Sequence, residues 1–296
     1  FEQSPADRRV GAAITITPVT PTAINESGQV AGYGVCSGQT HAFRYSGGSL
    51  SDLGALGGGY SYAFGINDAG QVVGESSLSG GATHAFVHSG GVMSDLGTLG
   101  GAGLNSTATA INNAGQIAGY SQTSSGSPNF AFLYSGGSMT SIGSLGGYSN
   151  AYAMNEASQI VGHSNGQAFI RSGGVMSAIQ NAVTANGINE SGQVTGYTFG
   201  VHAYVYSSGA TTDLGTLGGA YSIGRDINDL GQIVGISDRS TGPAHAFLYS
   251  GGVMQDLNSL VDPQYEVYVA FGINNAGQIV ASGIDTSTGQ PQGLLL

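Results

Sequence analysis

The sequence predicts an all-β protein. Apolar residues alternate with polar ones or form short runs rich in Val, Ile, Phe and Tyr that are bounded by Gly, Asn and Ser. No stretch keeps a 3.6-residue period, so helices are not expected. Three short motifs also recur in a fixed order along the whole chain, which indicates a repeat architecture built from strands.

The composition excludes several classes of protein. Apolar residues make up 40% of the 296 residues and charged residues only 8%, which argues against disorder. There are seventeen acidic residues against six basic ones, all Arg, and the net charge of −11 argues against binding to nucleic acids or anionic lipids. Apolar runs reach four or five residues, far below the roughly 20 that span a bilayer. Cys36 is the only cysteine, so no intramolecular disulfide is expected.

The first motif, Ile-Asn-x-x-Gly-Gln-(Val/Ile)-x-Gly, is the clearest. It recurs in seven copies, which place their Asn at these positions: Asn25, Asn67, Asn112, Asn155, Asn189, Asn228 and Asn274. A second motif resembling His-Ala-Phe-x-Tyr-Ser follows at 41–46, 84–89, 130–135, 167–172, 202–207 and 245–250, and its seventh copy is reduced to 292–296. A third motif, Met-x-Asp-Leu-Gly-x-Leu-Gly-Gly, is clearest at 93–101.

Each repeat is predicted to contain four strands. In the second copy these are strand a at 63–66, strand b at 71–74, strand c at 84–88 and strand d at 93–96. Because strands joined by tight turns pair antiparallel, each repeat should form a four-stranded meander.

About 40 residues and four strands per repeat are typical of a β-propeller blade. The sequence therefore predicts one domain over residues 13–296, a seven-bladed β-propeller. Residues 13–19 precede the first Ile-Asn motif, where a strand d belongs, and the chain ends after strand c of the seventh copy. The strand at 14–16 is expected to complete the last blade and close the ring. The alternative is an open solenoid or a pair of sandwiches. Residues 1–12 are predicted to be a flexible lead-in, and the absence of a starting Met or leader suits a trimmed product.

The three motifs together resemble the HAF-type extracellular repeat of bacterial secreted and surface proteins. The resemblance covers residues 13–296 and implies an extracellular or cell-surface location, but it implies no biochemical activity and no catalytic residues. The fourth copy departs from it, because Ser158 replaces the turn Gly and residues 176–180 lack the Asp-Leu-Gly signature. Its outer strand is the one that the sequence defines least.

Most constant positions of the repeat are interpreted as scaffold. The Asn and Gly of the a-to-b turn specify the turn itself. The motif histidines, His41, His84, His202 and His245, are spread around the ring, so we expect structural hydrogen bonds rather than a metal site. The aspartates of strand d should keep the outer edge from pairing. Ser164 matches a G-x-S-x-G nucleophile motif but lacks its strand-turn-helix context, so no catalytic role is expected.

Deviations from the repeat are the better functional candidates. Two sets of positions vary among the blades: the residue after the Gly of strand b, and the strand-a residue two before the Ile. Both sets are expected on one face. Arg225 and Asp226 stand out, because Ala or Gly occupies the Asp226 position in other blades. They form either a mutual ion pair or part of a polar site. The candidate ligand-binding residues are Tyr62, Glu75, Tyr120, Tyr152, His163, Tyr197, Arg225 and Asp226.

Two functions are predicted from different classes. The first is an extracellular module that binds a polysaccharide or surface glycan through the loop face, with avidity from several similar blades. The alternative is a carbohydrate-active enzyme, either a lyase using His163, Tyr152 and Arg225 or a hydrolase with two carboxylates drawn from Glu75, Asp226 and Asp238. A surface scaffold or adhesin without a small ligand is a third reading. Binding is favoured because no complete catalytic set is visible. A monomer without metal or cofactor is expected.

Overall fold

The computed structural model describes residues 13–16 and 19–296. This part of the chain is all-β, with 28 strands, a 3-10 turn at Leu257–Ser259 and no α-helix. It contains no helix of the length and apolar character that crossing a bilayer requires. The predicted lead-in at residues 1–12 lies outside the described residues.

The strands form four-stranded antiparallel units, numbered here in chain order. Five of the described sheets have four strands, and one of eight strands is two such units joined where Thr40 pairs in parallel with Tyr60. Units 1 and 2 contain β2 (Val19–Ile24), β3 (Val30–Cys36), β4 (Gln39–Ser46), β5 (Ser49–Asp52), β6 (Gly57–Ile66), β7 (Val72–Leu78), β8 (Thr83–Ser89) and β9 (Val92–Gly97).

The other units repeat this order. Units 3 and 4 contain β10 (Ser106–Ile111), β11 (Ile117–Gln122), β12 (Asn129–Ser135), β13 (Ser138–Gly143), β14 (Ser149–Met154), β15 (Ile160–Ser164), β16 (Gln167–Ser172) and β17 (Val175–Ala178). Units 5 and 6 contain β18 (Ala182–Ile188), β19 (Val194–Thr198), β20 (Ala203–Ser207), β21 (Ala210–Asp213), β22 (Gly218–Ile227), β23 (Ile233–Arg239), β24 (His245–Ser250) and β25 (Val253–Asp256). Unit 7 contains β26 (Tyr265–Ile273), β27 (Ile279–Asp285), β28 (Pro291–Leu295) and β1 (Ile14–Ile16).

The predicted four-stranded meander is confirmed. The strands are longer than the motifs suggest, and β6 begins at Gly57, six residues before the predicted start of strand a. The outer strand of unit 4, β17, forms although its Asp-Leu-Gly signature is missing. Ser158 adopts a φ of 58°, the left-handed conformation that Gly supplies in the other copies of the turn.

The first strand of the chain pairs with the last. β1 lies antiparallel to β28, with Ile14 opposite Leu295 and Ile16 opposite Gly293. Ile16 is buried in a cluster with Val30 of unit 1 and Val280 of unit 7. The N-terminal strand therefore links residues from both ends of the sequence.

The Asn of the first motif joins one unit to the next in six of the seven copies. The Oδ1 atom of Asn67 accepts from Gln71 N at 3.0 Å, and its Nδ2 atom donates to Asn112 O in unit 3 at 3.1 Å. Five of these Asn side chains donate to the carbonyl of the equivalent Asn in the following unit, and Asn274 donates to Asn25 O at 3.1 Å. Asn112 is the exception, because its Nδ2 atom donates to Gln116 within its own turn. The residue thus sets its own turn, as predicted, and also holds the adjacent turn in place.

The motif histidines pair with the motif aspartates of the outer strand. His84 Nδ1 lies 2.8 Å from the Asp95 carboxylate, and the other three repeats form the same pair. The Asp95 carboxylate also accepts from Gly97 N at 2.7 Å. The prediction of a structural hydrogen-bonding role for these histidines is confirmed. The aspartates have a use that the sequence analysis missed, because they tie strands c and d together.

The core lies between neighbouring units. Phe86 of unit 2 is fully buried against Ala42 of unit 1, and Phe132, Phe169, Tyr204 and Phe247 are equally buried in their units. Ser164 is also fully buried, accepting from Leu145 N and donating to Tyr148 O. It is therefore a structural residue, as predicted.

Replacement of Ile16 tests how strongly β1 is held. Ile16 is 3% exposed and its strand neighbour Ile14 is 47% exposed. We expect Ile16→Ala to lower the free energy of unfolding by about 2–4 kcal/mol, because it leaves a cavity in the core. Ile14→Ala should cost less than about 1 kcal/mol. Denaturant unfolding of both variants measures this, and equal costs would show that β1 does not pack as described.

Candidate functional site

A cavity of about 240 Å³ lies between the first strands of all the units. The strand-a residue two before the Ile lines it in every unit. These lining residues are Thr22, Phe64, Thr109, Tyr152, Asn186, Arg225 and Phe271. The cavity is therefore lined by equivalent residues of the seven units, and these residues differ from unit to unit in size and polarity.

A β-bulge turns each of these residues toward the cavity. In β6 the pairing with β7 passes from Ala63 to Gly65, so that Phe64 is the unpaired extra residue. In β22 it passes from Gly224 to Asp226 and leaves Arg225 unpaired. The same shift occurs at the equivalent residue of the other five first strands. Bulges re-aim side chains in this way next to binding sites.

Three of the seven bulged side chains are used by the fold. Thr22 Oγ1 donates to Ala63 O at 2.9 Å, Thr109 Oγ1 to Ala151 O at 3.0 Å, and Asn186 Nδ2 to Gly224 O at 2.8 Å. Each of these bonds joins a unit to the next one. The larger side chains of Phe64, Tyr152, Arg225 and Phe271 make no such bond and remain available to a ligand.

Asp226 occupies a position where the other units have Ala or Gly. Its carboxylate accepts from Ile227 N and from Ile273 N of unit 7, both at 2.9 Å. A Cβ atom on Gly187 would lie 3.0 Å from Asp226 Cα, so the small residue in unit 5 makes room for it. Burial raises the pKa of Asp226 to about 6, although the two backbone hydrogen bonds lower it in part.

One end of the cavity is strongly acidic. The residue after each motif Asn forms a collar, in which every backbone N–H donates to the side chain of the next member. The collar consists of Glu26, Asp68, Asn113, Glu156, Glu190, Asp229 and Asn275. Five of the seven side chains are carboxylates, so this end repels anions.

The other end is aromatic. Tyr62 lies two residues before Phe64 on β6, and their rings stack with centroids 6.5 Å apart. Tyr33 of unit 1 meets Tyr62 edge-on at 4.9 Å, and Tyr60 lies 5.5 Å from it. These four rings form an aromatic platform beside the cavity mouth.

The other predicted residues lie at the level of Tyr62. Glu75 pairs with Tyr62 across the strands, and its carboxylate accepts from Thr107 Oγ1 of unit 3 at 2.6 Å. Tyr120 is paired with Thr107 and Tyr197 with Thr184. Burial raises the pKa of Tyr120.

His163 lies apart from the charged groups. Its ring meets Tyr148 edge-on at 5.3 Å, and its Nε2 atom accepts from Gly166 N at 3.1 Å. Burial lowers the pKa of His163, which keeps the imidazole neutral. Burial likewise raises the pKa of Tyr152, whose phenol therefore holds its proton at neutral pH.

The structure separates groups that the sequence analysis placed together. Of the eight predicted residues, only Tyr152, Arg225 and Asp226 line the cavity. Among the described residues no ion pair joins Arg225 to Asp226, so the mutual ion pair is wrong. Because Asp226 is the only carboxylate in the described lining, the cavity lacks the pair that a hydrolase requires.

No group of three or more His, Cys, Asp or Glu in residues 13–16 and 19–296 is arranged to hold a metal ion.

The bulges were not predicted from the sequence. Their signal is a large or polar residue between two small ones before the motif Ile, as in Ala63-Phe64-Gly65.

The raised pKa of Asp226 makes a testable contribution to stability. Between about pH 4 and 6 the folded protein holds a proton that the unfolded chain has lost, so the free energy of unfolding falls as pH rises through this window. Asp226→Asn removes this contribution to the pH dependence of unfolding and keeps a side chain of the same size. The free energy of unfolding of the variant minus that of the wild type should therefore rise by roughly 2–3 kcal/mol from pH 4 to pH 7. Urea unfolding at both pH values measures it, and a constant difference would contradict a buried, proton-binding Asp226.

Comparisons with known proteins identify the fold. The chain is similar to the acylaminoacyl peptidase of Pyrococcus horikoshii, with a TM-score of 0.53 and 10% identity over 94% of this chain and 50% of that one. It is similar to a puromycin-hydrolyzing peptidase of Mycobacterium tuberculosis, with a TM-score of 0.53 and 13% identity over 98% of this chain and 55% of that one. A structure described as a gluconolactonase is matched more loosely, at a TM-score of 0.43 and 13% identity over 97% and 92% of the two chains.

The chain thus spans about half the length of the two peptidases. No protein-family model matches the sequence, and no curated protein matches it. At these identities the likeness concerns the fold alone, which is all-β and β-propeller-like.

Proposed function

We propose that the units are the seven blades of a closed β-propeller that binds a polysaccharide or surface glycan outside the bacterial cell. Three observations support closure: β1 pairs with β28, Asn274 donates to Asn25 O, and strands from every unit border one cavity. The extracellular location rests on the resemblance to HAF-type repeats. The constant Asn, His and Asp residues of those repeats have defined structural contacts here.

The observation that carries the binding function is the set of four large bulged side chains. Phe64, Tyr152 and Phe271 offer aromatic surface, and Arg225 offers hydrogen-bond donors. None of the four makes a hydrogen bond that joins the described units, although Phe271 also packs against the cluster shared by units 1 and 7. Most of the exposed surface of the cavity is polar, which suits a hydroxyl-rich ligand better than an apolar one. The aromatic platform extends this surface beyond the mouth, where further sugar rings would stack on it.

The cavity favours a single terminal sugar over many repeated sites. At about 240 Å³ it is smaller than the usual 300–1,000 Å³ of ligand pockets, so only the end of a glycan chain fits inside. The remaining sugars would lie across the platform. Avidity from equivalent sites on each blade is therefore not part of this proposal.

A carbohydrate-active enzyme is the second candidate, because one asymmetric cavity containing the deviant residues is what an enzyme would require. Two observations weigh against it. Asp226 has no second carboxylate beside it in the described lining, and the phenol of Tyr152 is a poor base because burial raises its pKa. Binding without turnover agrees better with this geometry.

A glycan array followed by calorimetry on the best ligand tests the proposal. Tyr152→Ala should weaken binding about tenfold or more, since it removes an aromatic wall of the cavity; tenfold corresponds to about 1.4 kcal/mol. Val253→Ala, at an exposed position of the outer strand β25, should bind like the wild type.

Thermal unfolding of both variants controls for loss of fold. Wild-type affinity in Tyr152→Ala would exclude the cavity as the site. A reducing-end assay on the same ligands, acidic and neutral, would show new chain ends if the protein is instead an enzyme.

A further inference from the structure

Arg225 is the one cationic side chain in the described lining of the cavity. Its guanidinium makes no ion pair and no hydrogen bond within the described part of the chain. Two other arginines differ, because Arg44 donates to Gly70 O and Arg239 donates to Pro243 O. The guanidinium of Arg225 thus lines the cavity with its donors free of any partner in the described part of the chain.

The guanidinium of Arg225 is both unpaired and accessible. Arg225 is exposed to solvent and lines the cavity, and partial desolvation by the surrounding protein lowers its pKa. The equivalent positions in units 1, 3 and 5 hold small polar groups that bond the next unit, so the fold does not need an arginine there. An accessible guanidinium that the fold does not use can bind an anionic group of a ligand.

We propose that Arg225 binds an oxyanion, a carboxylate or sulfate, on the terminal sugar of the glycan, so that the site selects anionic over neutral saccharides. This inference rests on the proposed glycan-binding function. A guanidinium presents a planar fork of N–H donors that matches such a group through two parallel hydrogen bonds. Asn186 and Phe271 flank Arg225 in the units on either side, one polar and one able to stack on a sugar ring.

Charge also fixes the direction of entry. The protein has a net charge of −11, and the acidic collar borders one end of the cavity, so an anion is repelled there. The aromatic platform borders the other end. An anionic chain end would therefore enter past Tyr62 and stop at Arg225, short of the collar.

The test compares anionic saccharides with neutral counterparts of equal length. Trigalacturonate is compared with its methyl ester, and a sulfated galactan trisaccharide with the desulfated sugar. Calorimetry at fixed salt should show at least tenfold tighter binding of one anionic member than of its neutral partner. Arg225→Gln should abolish that preference, and Arg225→Lys should retain part of it.

Two controls separate binding from folding. Arg171→Gln changes the same charge on β16, away from the cavity lining, and should leave the preference intact. Unfolding of Arg225→Gln without ligand should show stability close to that of the wild type, because the exposed guanidinium makes no ion pair within the described residues.

The outcomes are distinct. Equal binding of anionic and neutral members, or a preference that survives Arg225→Gln, would overturn this inference and leave glycan binding in place. Failure of every saccharide to bind would reject the proposed function, and the inference with it. A carboxylate-only or sulfate-only preference that depends on Arg225 supports it and identifies the anion.

Discussion

The fold depends on one repeated contact, the Asn side chain that closes its own turn and then donates to the backbone of the next turn. Asn67, only 4% exposed, is typical. Its side-chain amide accepts a hydrogen bond from Gln71 N and donates one to Asn112 O. A buried amide without partners would cost free energy, so each unit is positioned by the need to satisfy its neighbour. The registration of the units, and with it the alignment of the cavity-lining residues, follows from this contact.

The residues of each first strand have different roles because the units are aligned in this way. The motif Ile packs in the core, the small residues on either side of the bulge allow adjacent strands to approach closely, and only the bulged residue is free to vary. Gly65 illustrates the constraint, since a Cβ atom there would lie 3.1 Å from Thr109 O. Asp226 breaks this rule, and Gly187 and Gly272 on either side provide its space.

The sequence predicted the fold class and strand order well because the motifs mark turns whose chemistry is local. Asn and Gly at a turn, or Ser158 in place of Gly, determine backbone angles within a few residues. The candidate site was predicted only in part. Arg225 and Tyr152 were found by comparing repeats, but the pairing of Asp226 with Ile273 N and of Glu75 with Thr107 joins different units. Such contacts depend on how bulges orient side chains, which periodicity does not reveal.

The bulges also separate the chemistry of the cavity from the integrity of the sheets. Because the extra residue has no partner across the strand pair, its exchange leaves the ladder of backbone hydrogen bonds unchanged. Seven such positions, one in each repeat, line the cavity, and the four whose side chains make no bond to the next unit can be exchanged one at a time. The lining of the cavity can therefore change in size and charge while the turns and the sheets of the protein are kept.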